Sequence, residues 1–322
     1  MDKILVAGAG GFIGGHLVSA LGEKGYRVRA VDKKSLTEWY QLFPDAENVV
    51  LDLQDKDNCC QAVKGCTKVF NLAADMGGMG FIELNKALCM LSVLINTHLL
   101  MASNDSGVDR FFFSSSACVY NAEKQMDSDN PGLKERDAYP AMAEDGYGWE
   151  KLFSERMCRH FREDFGLTTR VARFHNVYGP FGTYEGGREK APAAISRKVI
   201  ESQLSGNFEI SIWGDGKQTR SFMYIDDCIE GMLKIMYSDT EEPINLGSSE
   251  MVSIDELVAI VEQIAAVKLK RTYDLDAPKG VRGRNSDNTL IKKYLDWEPS
   301  ISLRDGMRKT YEWIKMQMTE PE

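Results

Sequence analysis

A chain of 322 residues, 43% hydrophobic and 27% charged, has the length for about two domains and the ordinary composition of a globular protein. Its net charge of −9 excludes nucleic acid and membrane surfaces as expected partners, because counterion-release binding needs a cationic face, yet leaves room for an anionic small ligand at a local basic cluster. The 7 cysteines are scattered, odd in number and without a Cys-x-x-Cys, which predicts neither a disulfide framework nor a zinc ribbon; with no signal-like start at Met1-Asp2-Lys3 and no apolar run of about 18 residues, the expected setting is reducing and cytoplasmic.

The chain opens on a strand over residues 3–7, runs into Gly8-Ala-Gly-Gly-Phe-Ile-Gly14, and continues as an amphipathic helix through residue 24. Glycines at 8, 11 and 14 permit a tight turn, close approach of backbone to a pyrophosphate at the helix N-terminus, and close packing of helix on strand. The spacing departs from Gly-x-Gly-x-x-Gly because position 13 is Ile. A second strand over 27–31 ends in Asp32, where a carboxylate accepts from a ribose 2′-hydroxyl and repels a 2′-phosphate; that points to NAD, although Lys33 and Lys34 could instead welcome the phosphate. A third strand over 49–51 leads to Asp52, placed either to hydrogen-bond an adenine amino group or to cap the following helix. A fourth over 68–72 runs into Ala73-Ala-Asp-Met-Gly-Gly-Met-Gly80, which reads as a mobile apolar lip at the ligand-binding end of a sheet or as a plain flexible turn. One long helix is expected from Phe81 to about Asn104.

The fifth strand, over 110–115, ends in Ser114-Ser-Ser-Ala-Cys118 at the carboxyl edge where such sheets do chemistry. A helix carrying Tyr147 and Lys151 follows, and residues four apart share a helical face. An ammonium about 4 Å from a phenol, at an effective dielectric of about 20, supplies roughly the 4 kcal/mol that a phenolate needs near neutrality. After a strand over 169–174 the character changes. Residues 176–190 are rich in glycine and aromatics and read as a substrate loop, Trp213-Gly-Asp-Gly-Lys217 reads as the turn of a hairpin between strands over 208–213 and 219–223, and amphipathic helices lie near 226–236, 254–265 and 303–316. The alternation predicts an α/β chain: a doubly wound parallel (Rossmann) sheet in an NAD-binding domain over 1–175, returning near 222–248, with a smaller, interleaved α/β substrate domain mainly over 176–322.

The glycine turn, Asp32, the serine strand and the Tyr-x-x-x-Lys pair, in that order, resemble the extended short-chain dehydrogenase/reductase family, whose members act on nucleotide sugars. Within that family the chain is similar to the branch that epimerises GDP-hexoses at C3 and C5. The similarity runs through Ala74-Asp-Met-Gly-Gly-Met-Gly-Phe81, Ser115-Ser-Ala-Cys118, Phe174-His-Asn-Val-Tyr-Gly-Pro180, Gly186-Gly-Arg-Glu-Lys-Ala-Pro-Ala193, Trp213-Gly-Asp-Gly216 with Gln218-Thr-Arg-Ser221, and Gly280-Val-Arg-Gly-Arg-Asn-Ser-Asp287, and spans residues 3–315.

The resemblance implies NAD as cofactor, held by Gly8, Gly11, Phe12, Ile13, Gly14, Asp32, Asp52, Tyr147 and Lys151, a GDP-sugar as substrate, and a homodimer formed through helices beginning near Leu91 and Glu150. It implies oxidation at C4 of the sugar, with Tyr147 taking the hydroxyl proton beside Lys151, Ser116 bonding the oxygen, and NAD+ taking the hydride. A C4 ketone acidifies the hydrogens on C3 and C5, and Cys118 and Lys190 are the base and acid the resemblance nominates for inverting those centres. Relatives that work only at C4 usually carry threonine where Cys118 stands. Substrate contacts are implied at Gly77, Ser116, Ala117, Cys118, Asn176, Glu189, Lys190, Ala191, Lys198, Gln218, Thr219, Arg220 and Arg282. Arg188, Lys198, Arg220, Arg282 and Arg284 form a basic group suited to two phosphates. The 4 histidines lack metal-ligand spacing; no metal is expected, and His175 reads as structural. The competing readings are a C4-epimerase or a 4,6-dehydratase, the latter disfavoured by Ala117 and Cys118 where a carboxylate is needed, and a catalytically silent NAD-binding protein.

Overall fold

The computed structural model describes residues 2–277 and 280–320. In chain order its elements are β1 (Lys3–Ala7), α1 (Phe12–Glu23), β2 (Arg27–Asp32), β3 (Glu47–Val50), α2 (Lys56–Val63), β4 (Lys68–Asn71), α3 (Met79–Leu84), α4 (Lys86–Met90), α5 (Ser92–Asp105), β5 (Arg110–Ser116), α6 (Tyr147–Phe165) and β6 (Thr168–Phe174). There follow β7 (Asn176–Tyr178), α7 (Ala191–Ser205), β8 (Glu209–Trp213), β9 (Thr219–Tyr224), α8 (Ile225–Tyr237), β10 (Ile244–Leu246), β11 (Met251–Ser253), α9 (Ile254–Ile264), β12 (Lys270–Asp274), β13 (Gly283–Arg284), α10 (Thr289–Leu295) and α11 (Leu303–Thr319).

Seven strands form one sheet in the order β10-β6-β5-β4-β1-β2-β3, and every pair in it is parallel. Parallel strands covered on both faces read as continuous apolar runs, and the two-residue side-chain period divides them. Ile4, Val6, Phe70 and Phe112 join the core shared with α1 and α8. Leu5, Ala7, Val69, Phe111 and Phe113 point the other way, into the core under α2, α5 and α6. The strand order reverses at β1, with β2 on one side and β4 on the other. A crevice therefore opens beyond the carboxyl ends of β1 and β4, where doubly wound sheets bind ligands.

After β6 the chain leaves this sheet. β9 lies between β11, antiparallel to it, and β13, parallel to it, and also pairs in parallel with β7 through Phe222–Tyr224. α8 and β10 then return to the large sheet, β10 pairing with β6. The hairpin expected around residues 213–217 does not form. β8 pairs in parallel with β12, from Glu209 opposite Lys270 to Trp213 opposite Asp274, while β9 belongs to the other small sheet. Gly214 and Gly216 take positive φ, and Gln218 donates to the Trp213 carbonyl (2.8 Å), so the five residues between the strands carry the chain from one sheet to the next.

The single helix expected over 81–104 is three. Asn85 has φ −130°, and its side chain donates to the Phe81 carbonyl (2.9 Å), replacing the regular ladder at that point. The run Lys86–Asp105 is 20 residues long with a mean hydropathy of 1.4, which corrects the expectation that no apolar stretch reaches spanning length. Its buried side packs on α2, α6 and the sheet.

Candidate active site

The glycine turn is built by contact rather than by flexibility alone. Gly8 adopts φ +83°, and a Cβ there would lie 2.9 Å from the Ala73 backbone; a Cβ on Gly14 would lie 2.1 Å from the Gly8 carbonyl oxygen. No side chain caps α1 at Gly11, so the Phe12 and Ile13 amides begin the helix as donors suited to a pyrophosphate. Asp32 braces the turn: one oxygen accepts from the Gly10 amide (3.1 Å) and the other from the Lys34 amide (3.1 Å). Both flanking lysines are engaged. Lys33 pairs with Asp75 (2.8 Å) and Lys34 donates to the Gly10 carbonyl (2.6 Å), so both ammonium groups already have partners within the chain. Asp52 is exposed and accepts from the Gln54 amide (2.9 Å). It does not cap α2, because Asp55 does, accepting from Asp57 and Asn58. The turn, its amides and Asp32 together fit an NAD-type dinucleotide.

At the carboxyl end of β5, Ser116 begins a short 3-10 turn over Ala117–Val119, its hydroxyl accepting from the Cys118 amide (3.2 Å). Helix α6 starts against this turn, where Gly148 lets its backbone approach so closely that a Cβ would lie 2.3 Å from the Cys118 carbonyl. Tyr147 and Cys118 are thereby buried in one small apolar cluster with Ile82 and Cys89, edged by Ala74, Met76 and Phe81. Lys151 is fully buried, its ammonium 3.7 Å from Glu150 and 5.5 Å above the Tyr147 ring.

The phenol does not behave as the Tyr147–Lys151 spacing alone suggests. Burial pushes Tyr147 well above its ordinary range, and Cys118 and Glu150 push the same way against the Ser116 hydroxyl. Lys151 shares its charge with Glu150, whose own carboxyl is raised by burial against the pull of that ammonium. Without a further positive charge, then, Tyr147 is an acid.

The lip expected over 73–80 is held rather than loose. The Gly78 amide donates to the Arg188 carbonyl (3.0 Å), a Cβ on Gly78 would sit 2.6 Å from the Glu189 carbonyl, and the Arg188 guanidinium stacks 3.8 Å from the Phe81 ring. Gly77 sits beneath the same ring. This clamp delivers Lys190, followed by Ala191, to the start of α7. Burial lowers the Lys190 ammonium, while Cys118 and Cys228 lie near enough to raise it partway back. Among the described residues Lys190 Nζ has no hydrogen-bond partner and no carboxylate.

Beyond β6, Asn176 donates to the Ser221 carbonyl (3.1 Å) and Glu189 pairs with Arg197 (3.4 Å). Lys198, lowered by burial, donates to the Ser211 carbonyl (2.8 Å). The Thr219 hydroxyl bonds the Ser128 carbonyl (2.5 Å), and Gln218 Oε1 is buried without a partner. The basic group is not one patch. Arg282 is half-exposed, and its Nη1 donates to both carboxylate oxygens of Asp215 (2.8 and 3.0 Å). Arg220 is buried enough that its guanidinium is lowered to about 10, with Cys118 opposing that fall. Arg284 departs from the phosphate-binding expectation altogether. It is buried, ion-paired with Glu144, bonded to Gln125 (2.7 Å), and 3.7 Å from Cys118 Sγ. Sequence reasoning missed Glu144 and Glu150 as members of the site; Glu150 was legible as the neighbour of Lys151, and Glu144 had no local signal.

His175 is buried, bonds Asn245 (3.2 Å), and is lowered to about 4 by burial. It belongs to a polar network behind β5 in which Arg173 forks onto Glu155 (2.8 and 2.7 Å) and Ser115 donates to the same carboxylate (2.5 Å).

A family model described as the NAD dependent epimerase/dehydratase family matches residues 4–247. Over 98% of its length the chain is 48% identical to a GDP-mannose 3,5-epimerase of Arabidopsis thaliana, of which it covers 83%. Among solved structures, the UDP-glucose 4-epimerase of Thermotoga maritima with UDP-glucose superposes with a TM-score of 0.88 at 26% identity, over 98% of this chain and 99% of that one. The UDP-glucuronic acid 4-epimerase of Bacillus cereus, in complex with UDP-glucuronic acid and NAD, does so with a TM-score of 0.81 at 26% identity, over 98% and 99%.

Proposed function

The chain belongs to the NAD dependent epimerase/dehydratase family, and from that premise we propose that it is an isomerase that inverts C3, C5 or both in GDP-mannose or a close GDP-sugar, with oxidation at C4 that is reversed before release. NAD supplies a hydride acceptor that is regenerated within each turnover, so no net redox occurs. Tyr147 takes the C4 hydroxyl proton and later returns it, with Ser116 bonding the oxygen. Cys118 and Lys190 then work on the hydrogens that the C4 carbonyl acidifies, one removing a proton from one face while the other delivers a proton to the opposite face.

The observation that carries this reading is the burial of Cys118 and Tyr147 in one apolar cluster, with the Lys190 ammonium near the sulfur. A C4-only epimerase needs neither a thiol nor a lysine there. The test is incubation with GDP-mannose in D2O. Deuterium at C3 or C5 of the recovered sugar supports the proposal, and its loss in Cys118→Ala with NAD binding intact assigns the base. Inversion at C4 without label would move the chain to the C4-epimerases.

A homodimer through α5 and α6 completes the proposal. Trp149 and Phe153 stand one turn apart on α6, 41% and 53% exposed, and Leu94 in α5, which packs on α6, is exposed as well, as is Leu91 just before it. Sedimentation at micromolar concentration reads this directly, and a monomer there would refute it. A reducing, cytoplasmic setting fits seven cysteines that are all free.

A further inference from the structure

Cys118 is the centre of a charge arrangement that the chemistry at C4 does not require. Its peptide carbonyl accepts from the Glu144 amide (2.9 Å), the Glu144 carboxylate pairs with Arg284, and Arg284 turns one amino group onto Cys118 Sγ at 3.7 Å. The third arm of the guanidinium, Nε, is fixed by Gln125 Oε1 at 2.7 Å, and Gln125 is itself fully buried. Arg284 is 6% exposed and Cys118 is 6% exposed. Three chain segments, the turn after β5, the loop before α6 and strand β13, thus meet at Cys118, with Arg284 of β13 reaching its sulfur.

A neutral thiol has little use for a buried guanidinium. A weakly hydrated, planar cation fixed at sulfur contact distance stabilises the anionic form, and a carboxylate behind it aims the cation and moderates its strength. The same sulfur feels Arg220 from β9 and Lys190 from the start of α7 on the cationic side, and the Tyr147 phenol from α6 on the other.

We propose that Arg284, aimed by Glu144 and Gln125, is a positioning residue that holds Cys118 as the thiolate base of the exchange step, leaving Lys190 as the proton donor on the opposite face. This rests on the 3,5-epimerase reading for the sugar, but not for the sulfur. The residue was read from the sequence as a phosphate contact; its geometry gives it a different task.

The test uses the full-length protein loaded with NAD and no sugar. Thiolate absorbance in the ultraviolet is titrated against pH, with Cys118→Ala subtracted to isolate this sulfur. In Arg284→Gln the Cys118 titration should move up by about one pH unit, a tenfold loss of thiolate near neutrality, and Arg284→Lys should recover part of it. Glu144→Gln frees the guanidinium of its counter-charge and should move the titration the opposite way. Opposed shifts from two residues of one pair are not what a merely structural contact produces. An unmoved titration in folded, NAD-binding Arg284→Gln overturns the proposal, as does a shift of the same sign in both variants. Should Arg284→Gln fail to fold, Arg284→Lys and Glu144→Gln decide the matter alone. Retained deuterium exchange in Cys118→Ala would show that another group is the base and overturn the assignment of Cys118; absence of exchange in the parent protein would instead defeat the epimerase reading and leave the titration result standing.

Discussion

Gly14→Ala should cost the chain most of its affinity for NAD, and Gly22→Ala, eight residues on in the same helix, should not. A Cβ on Gly14 would stand 2.1 Å from the Gly8 carbonyl oxygen and 2.8 Å from Ala9 Cα. Both neighbours are backbone, and neither can rotate away. Gly8 cannot retreat either, because it already lies against the Leu72–Ala73 backbone at the end of β4. Restoring a tolerable 3.0 Å requires α1 and the turn to part by about 0.9 Å. Overpacking of this kind costs about 1–3 kcal/mol. If the turn opens to relieve it, the amides that meet a pyrophosphate are displaced by nearly an ångström, and affinity should fall by about ten- to a hundredfold. Gly22 has nothing within 4 Å of its would-be Cβ, so alanine there gains roughly 0.5–1 kcal/mol of helix propensity and leaves the turn alone. Calorimetric titration with NAD and a thermal melt of each variant read both quantities. An affinity in Gly14→Ala within about twofold of the parent, at an unchanged melting temperature, would show that the helix and turn are not packed as described.

The Lys190 ammonium is lowered by burial, so the alkaline limb of deuterium exchange should fall below the ordinary lysine value of about 10.4. Lys190→Arg should flatten that limb at a reduced rate, because a guanidinium does not deprotonate in this range; a limb that stays in place belongs to another group. Glu155→Gln should destabilise the fold by about 3–5 kcal/mol, since it strands the Arg173 cation. Both side chains of that pair are 3% exposed. Denaturant titration checks it, and a loss below about 1 kcal/mol would mean that water reaches the pair.

Local features of this chain were legible, and non-local ones were not. The large sheet could be read because its strands are short apolar runs punctuated by glycine and followed by amphipathic helices, a pattern contained within windows of a dozen residues. The split of β8 and β9 into different sheets could not, because a pair of strands around a glycine-rich turn looks like a hairpin until β12 and β13 compete for their edges from 61 and 64 residues away. Asn85 shows the same limit at short range: nothing in its type says whether its side chain will face solvent or bond the Phe81 carbonyl and end a helix. At the site, Tyr147 and Lys151 announce themselves by spacing. Arg284 acts on a sulfur 166 positions earlier, and a sequence offers no means of telling an arginine that meets a phosphate from one that meets a thiol.

The misread arginine and the raised phenol bear on one another. Tyr147 and Cys118 share an apolar cluster, and each anion disfavours the other, as the upward push of Cys118 on the phenol makes explicit. Cations are therefore needed on both sides: Lys151 beside the tyrosine, Arg284 and Arg220 beside the cysteine. In the described state Glu150 takes up part of the Lys151 charge, so the balance keeps the proton on the phenol. A positive nicotinamide ring would tip it toward the phenolate. When Tyr147 then accepts the C4 proton, the charge opposing the thiolate disappears at the moment the neighbouring C–H bonds become acidic. Oxidation at C4 comes first because only the C4 carbonyl acidifies the hydrogens beside it, and the protonation of Tyr147 in that step removes the anion that disfavours charge on sulfur in the next.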